Sequence, residues 1–192
     1  MTSITEIRGA AGEEWYSWPA GSTGVVLAKA NAGQAGDATA VSDAIESLDL
    51  ELVKRGAAFG GVWAPPSLQG QVAATFWAGV IVAPTDALRS ALRFERTVSD
   101  PASDSTATVF AKNVESAHLN DTEIVTQFES RADGDETSPY YLARVGYFPS
   151  WTKSRVIFEA TCPVLELRDE FARQAGRIAG SITFASSQEP KE

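Results

Sequence analysis

One thiol and one imidazole bound the covalent chemistry open to this sequence: Cys162 is its single cysteine and His118 its single histidine. Cys162 stands just before Pro163, at the start of a predicted helix, where a thiol pKa can fall far enough to make a nucleophile. Its helpers are missing. His118 lies in a polar stretch between predicted strands, and nothing in the sequence brings it to Cys162. Cys162 therefore reads as a small structural residue and His118 as a solvated turn residue. One of each also leaves no internal disulfide and no histidine metal cluster, so a metal site would have to be built from carboxylates.

Other strings resemble reactive motifs without meeting their requirements. Ser150-Trp151-Thr152-Lys153 spells the S-x-x-K of penicillin-recognising enzymes, but that serine belongs at a helix start and this one falls in a turn between strands. Ala20-Gly21-Ser22-Thr23-Gly24 has alanine where the nucleophile elbow G-x-S-x-G needs its first glycine. Gly33-Gln34-Ala35-Gly36 sits between a predicted strand and helix, where free N–H groups could hold a phosphate. It lacks the G-x-G-x-x-G run and the Walker lysine, and Asp37 adjoins it. Asp133, Asp135 and Glu136 could touch calcium, but their spacing is not that of the EF-hand loop. No catalytic residue, metal ligand or cofactor is expected.

Recognition is the better prospect. Of five tryptophans, Trp77 should be core, whereas Trp15, Trp18, Trp63 and Trp151 adjoin turns or breakers, and tryptophan is enriched at binding hot spots. Arg89, Arg93 and Arg96 recur at i, i+4 and i+7 of a predicted helix, a basic stripe suited to a carboxylate-rich partner. These seven residues are the candidate interaction surface. Core closure by the tryptophans, and a solvated helix face balanced by Asp86 and Glu95, are the plainer readings. A pocket lined by Trp15, Trp63, Tyr147 and Trp151 would suit a small ligand or an enzyme.

The charge balance narrows the partner further. Sixteen basic against 25 acidic side chains give a formal charge of −9, divided as −3 and −6 between the two halves, so neither half hides a basic domain. Nucleic acid and anionic membranes are poor partners for such a chain. The opening residues, Met-Thr-Ser-Ile-Thr-Glu-Ile-Arg, lack the basic and apolar regions of a secretory signal. The longest apolar segment, Val72 to Pro84, is shorter than the roughly 20 residues of a spanning helix. The expectation is a cytoplasmic protein.

A length of 192 residues with 44% hydrophobic side chains suits one domain, ordered over about 13–184 with flexible ends at 1–12 and 185–192. Glu14 to Trp18 and Val25 to Ala30 flank turn formers and read as a hairpin, followed by a loop from Asn31 to Asp37. Val41, Ile45, Leu48, Leu52 and Val53 mark a helix from about Thr39 to Arg55, stopped by Gly56. A short run, Phe59 to Trp63, precedes the breaker Pro65-Pro66-Ser67. Gln71 to Val82 is apolar at both parities, so it must lie centrally in a sheet that is covered on both sides. A second helix begins at Pro84-Thr85-Asp86 and buries Leu88, Ala91 and Leu92. Strands follow at Thr106–Lys112, Glu123–Glu129, Tyr140–Phe148 and Ser154–Ala160, the last three joined as a meander. Val164, Leu167, Phe171, Ala175, Ile178 and Ile182 form the stripe of a closing helix that begins near Pro163. The predicted architecture is α+β: an α/β/α sandwich with a mainly antiparallel central sheet of about six or seven strands and three helices.

The first of these helices, the segment Arg55-Gly56-Ala57-Ala58-Phe59-Gly60-Gly61-Val62-Trp63, the long strand, the late meander and the closing stretch from Cys162-Pro163-Val164 to Ile182-Thr183-Phe184 together resemble the PsbP-like α/β/α sandwich superfamily. They also look like a group of small actinobacterial proteins of that design. The resemblance covers about residues 13–184 and supplies no motif from which a functional residue could be carried over. It implies a binding or assembly module, since members include a Ran-GTPase partner and a photosystem subunit. The expected role is non-enzymatic binding of another protein. A small-ligand or enzymatic domain and a homodimer paired through a sheet edge are the alternatives.

Overall fold

The fold was described from a computed structural model, over residues 3–12, 14–22, 24–34, 38–81, 107–119, 121–133 and 139–187. Nine strands are found among these residues: β1 (Ser3–Arg8), β2 (Trp15–Pro19), β3 (Ala57–Trp63), β4 (Ala74–Ile81), β5 (Ala107–Leu119), β6 (Thr122–Asp133), β7 (Tyr140–Pro149), β8 (Arg155–Cys162) and β9 (Thr183–Ser187). Three helices accompany them: α1 (Gly24–Gln34), α2 (Ala38–Arg55) and α3 (Arg168–Ser181). Seven strands make one antiparallel sheet in the order β2-β3-β4-β8-β7-β6-β5, and β1 pairs with β9 in a separate two-stranded ribbon. The chain is an α+β sandwich.

The doubly apolar strand lies inside the sheet as its composition requires, between β3 and β8. Phe76 on one face joins a core formed with Trp15, Trp63, Phe158, Phe171 and Ile178, under α3. Trp77 on the other face packs against Trp18, Ile45, Leu52 and Val62, under α1 and α2. Close approach of these layers depends on Gly60 of β3. A Cβ there would stand 2.6 Å from Leu52 Cδ1 and 2.8 Å from the Phe76 carbonyl oxygen. Beyond the helices, the Trp77 face carries a polar row: Arg144 donates to Glu159 at 2.5 Å, as does the Trp77 indole at 3.3 Å. Buried Glu129 accepts from buried Arg131 on the same face of β6.

Several expectations are corrected. Val25 to Ala30 is helical, not the second strand of a hairpin; β2 pairs instead with β3. Apart from Val25 and Val26 this segment is built of good helix formers. Ser22 Oγ accepts the Gly24 N–H at 3.0 Å at the helix start, and Ala28 and Ala32 bury one face. The predicted loop at Asn31 is therefore the end of α1, and Gly33 and Gln34 are helical. The ends expected to be flexible contribute β1 and the last three residues of β9, Ala185–Ser187, which pair with one another, and Ile4 and Ile7 pack on the core. The closing helix starts later than Pro163, after a 3-10 turn at Leu165–Leu167. The helix predicted from Pro84, with Leu88, Ala91 and Leu92, lies outside the described residues.

Helix α3 is pinned to the sheet by a hydrogen bond. The Tyr147 hydroxyl of β7 donates to the Ala179 carbonyl at 2.6 Å. Burial raises the Tyr147 phenol well above its ordinary pKa, because the phenolate would lose its hydration there. The same effect raises the Cys162 thiol, whose S–H contacts the Val164 carbonyl at 3.5 Å. Cys162 is thus a buried, protonated core residue, as its sequence context suggested.

Two outcomes follow from this packing. Gly60→Ala should destabilise by about 1–3 kcal/mol, read as a lower urea midpoint at unchanged slope. Gly33→Ala, where a Cβ meets nothing within 4 Å, should leave stability equal or slightly raised. Stability should also fall on the alkaline side. Tyr147 stays protonated in the fold, so its contribution is complete below the unfolded phenol value near 10 and is lost as pH rises from there towards the higher folded value. Urea titrations between pH 8 and 11 should show this fall, and Tyr147→Phe should flatten its upper part.

Candidate functional site

The small side chains of α3 create a space. Phe171, Ala175 and Ile178 seat the helix on the core, while Ala172, Gly176, Ala179 and Gly180 look across towards β6. Along β6 the alternation places Ile124, Thr126 and Phe128 on the α3 side, as the Phe128 ring shows by lying 6.0 Å from that of Phe171, tilted by 45°. Between them runs an open groove of about 600 Å³. Its floor is Ile124, Thr126, Val145 and Tyr147; α3 forms one side, and Ile182, Thr183, Phe184 and Trp151 close one end. Trp151 and Phe184 lie 6.2 Å apart, and Tyr147 meets Phe184 edge-on at 6.2 Å. Leu119, Asp121 and Thr122 complete the lining of the groove. Past Thr126, Val145 and Gly176 the groove continues into a narrower hollow of about 320 Å³ that reaches Arg168 and Asp169.

Two glycines keep this groove open. Cβ atoms built on Gly176 and Gly180 would meet nothing within 4 Å, and neither residue has a positive φ. Packing and backbone geometry therefore leave both positions open to a side chain. Each glycine costs the helix about 1 kcal/mol relative to alanine. Their effect is to leave the α3 side of the groove bare.

The lining is apolar with few polar groups. Among the described lining residues, Thr122, Thr126 and Thr183 offer hydroxyls, the Tyr147 hydroxyl is engaged by Ala179, and Asp121 is the one carboxylate of the wide part. Among the described residues, no thiol, imidazole, lysine or arginine lines this wide part. Such a surface can bury apolar groups and accept hydrogen bonds from a donor or a cation at Asp121. It holds no nucleophile with a base, and no group of three His, Cys, Asp or Glu side chains among the described residues is placed to hold a metal ion. His118 sits on β5 directly opposite Glu123 of β6, not in a turn. It is exposed and borders an adjoining hollow of about 300 Å³ with Arg155 and with Asp121, which lines both.

The structure redistributes the candidate interaction residues. Trp15 and Trp63 stack in the core, 5.8 Å apart, and Trp18 is 2% exposed beneath α2. Two of the indole nitrogens show why turn-side positions were compatible with burial: Trp63 donates to Glu14 at 3.0 Å and Trp18 to Asp49 at 2.8 Å. These three tryptophans close the core and offer no surface. Trp151 is half-buried and does line the groove, beside Tyr147. The proposed four-residue aromatic pocket is thus split, with Trp15 and Trp63 elsewhere. Arg89, Arg93 and Arg96 lie outside the described residues. Sequence reasoning missed Gly176 and Gly180; glycines four apart within an otherwise regular amphipathic helix were the available signal.

No protein-family model matches the sequence, and no curated protein matches it. Among described helices, none is long and apolar enough to cross a membrane. The likeness is found in three dimensions. The solution structure of cyanobacterial PsbP (CyanoP) from Synechocystis sp. PCC 6803 superposes with a TM-score of 0.50, covering 95% of this chain and 95% of that one at 11% sequence identity. At that identity the agreement is one of architecture, and the fold of this chain is PsbP-like.

Proposed function

We propose that this chain is a non-enzymatic binding module whose groove between α3 and β6 holds part of another protein. The observation that carries the reading is the pair of glycines, Gly176 and Gly180, which lower helix propensity where packing has no need of them and leave an apolar channel uncovered. The channel is open along its side and continues into a second hollow along the helix, a shape that suits a chain segment. The absence of a nucleophile–base pair among its described lining residues fits binding without chemistry. Its volume also lies in the range of small-molecule sites, roughly 300–1,000 Å³, so a free apolar ligand is the competing occupant.

Gly176→Leu separates binding from folding. The new side chain enters open space and improves helix propensity, so stability should hold or rise by about 0.5–1 kcal/mol. Partners enriched from the native host on the wild-type chain should bind this variant at least tenfold more weakly by calorimetry. Equal binding by the two proteins would refute the assignment, as would a tight small-molecule ligand recovered in place of any protein.

A further inference from the structure

We infer that the occupant of the groove is an extended, largely apolar segment carrying a lysine or arginine that meets Asp121. This rests on the proposed binding role and specifies the chemistry of the partner. The two hollows share Thr126, Val145 and Gly176, so a single channel follows α3 from the level of Asp169 to that of Gly180. At 1.5 Å rise per residue this is about 17 Å, the length of roughly five extended residues.

The walls define what such a segment must present. Ile124, Val145, Trp151 and Phe184 ask for aliphatic or aromatic side chains. Thr122 and Thr126 stand on the same side of β6 with Ile124 between them, placing hydroxyls where a passing backbone needs hydrogen-bond partners. The two ends differ in charge. At the narrow end Arg168 lies 3.5 Å from Asp169 and over the Phe128 ring, so the charges there offset one another. At the wide end Asp121 is exposed and is the one charged side chain among the described residues lining that hollow. Arg155, which borders the adjoining hollow with it, is buried and donates to the Thr152 and Ser154 carbonyls. A formal charge of −9 adds a long-range preference for cationic segments. A basic residue therefore belongs at the Asp121 end, which also fixes the direction of the segment.

The test is selection of random seven-residue peptides, displayed on phage, against the full chain, followed by affinity measurement of the winners on wild type, Asp121→Asn and Gly176→Leu. Circular dichroism melts verify that both variants fold. The expected winners carry a basic residue near one end followed by apolar residues. They should lose about three- to fivefold in affinity on Asp121→Asn, the size of an exposed ion pair, and all measurable binding on Gly176→Leu. Winners that need an open Gly176 but show no basic enrichment and bind Asp121→Asn equally well would overturn this inference and leave the groove as the site. Winners indifferent to Gly176→Leu, or no winners at all, would overturn both the inference and the groove itself.

Discussion

A strand that buries both of its faces obliges the chain to build three layers. Here β4 imposes that requirement, with Phe76 turned to one side and Trp77 to the other. Neither residue can be left to water without losing roughly 2–3 kcal/mol of burial, so a cover is needed above and below. The remaining elements are answers to this demand. Helices α1 and α2 cover the Trp77 face, while α3 and the β1-β9 ribbon cover the Phe76 face. Gly60 lets the first cover approach closely, and the Tyr147 hydroxyl anchors the second.

The two covers are unequal, and the groove comes from that inequality. Two helices pack over β2, β3 and β4, where large residues such as Ile45 and Leu52 fill the space. On the opposite side, among the described residues, one helix serves the wide half of the sheet. It seats itself on β7 and β8 through Phe171 and Ile178 and turns small residues towards β6. Because the sheet extends beyond the width of a helix, the described residues leave the outer strands on that side partly uncovered. Trp151 and Phe184 close one end of the remaining channel without filling it.

Elements with a strong local period were legible in the sequence. The 3.6-residue spacing of Val41, Ile45, Leu48 and Leu52 located α2, and short turns between apolar runs gave the β6-β7-β8 meander. The two-sided apolar pattern of 71–82 gave both the central position of β4, which spans Ala74–Ile81, and the layering. What failed depended on long-range contacts. Val25 and Val26 suggested a strand, and the helix is decided by Ala28 and Ala32 packing under α2. Trp15, Trp18 and Trp63 adjoin turns, yet position beside a turn does not say which way a side chain faces. Their partners Glu14 and Asp49 emerge only from the fold. The groove was hidden because Gly176 and Gly180 interrupt no pattern; in α3 they occupy positions outside the apolar stripe, where a linear reading expects nothing.

The ribbon of β1 and β9 ties the groove to contacts between segments far apart in the sequence. Phe184 and Thr183 belong to β9 and wall the channel, and β9 is held by strand partners about 180 positions earlier in the sequence. Contacts of such separation carry the largest loop-closure entropy and form late. A chain in which β9 has not yet paired with β1 could hold most of the sheet and still have no finished channel. The groove therefore reads out tertiary completion: this part of its wall is in place only once β1 and β9 have met.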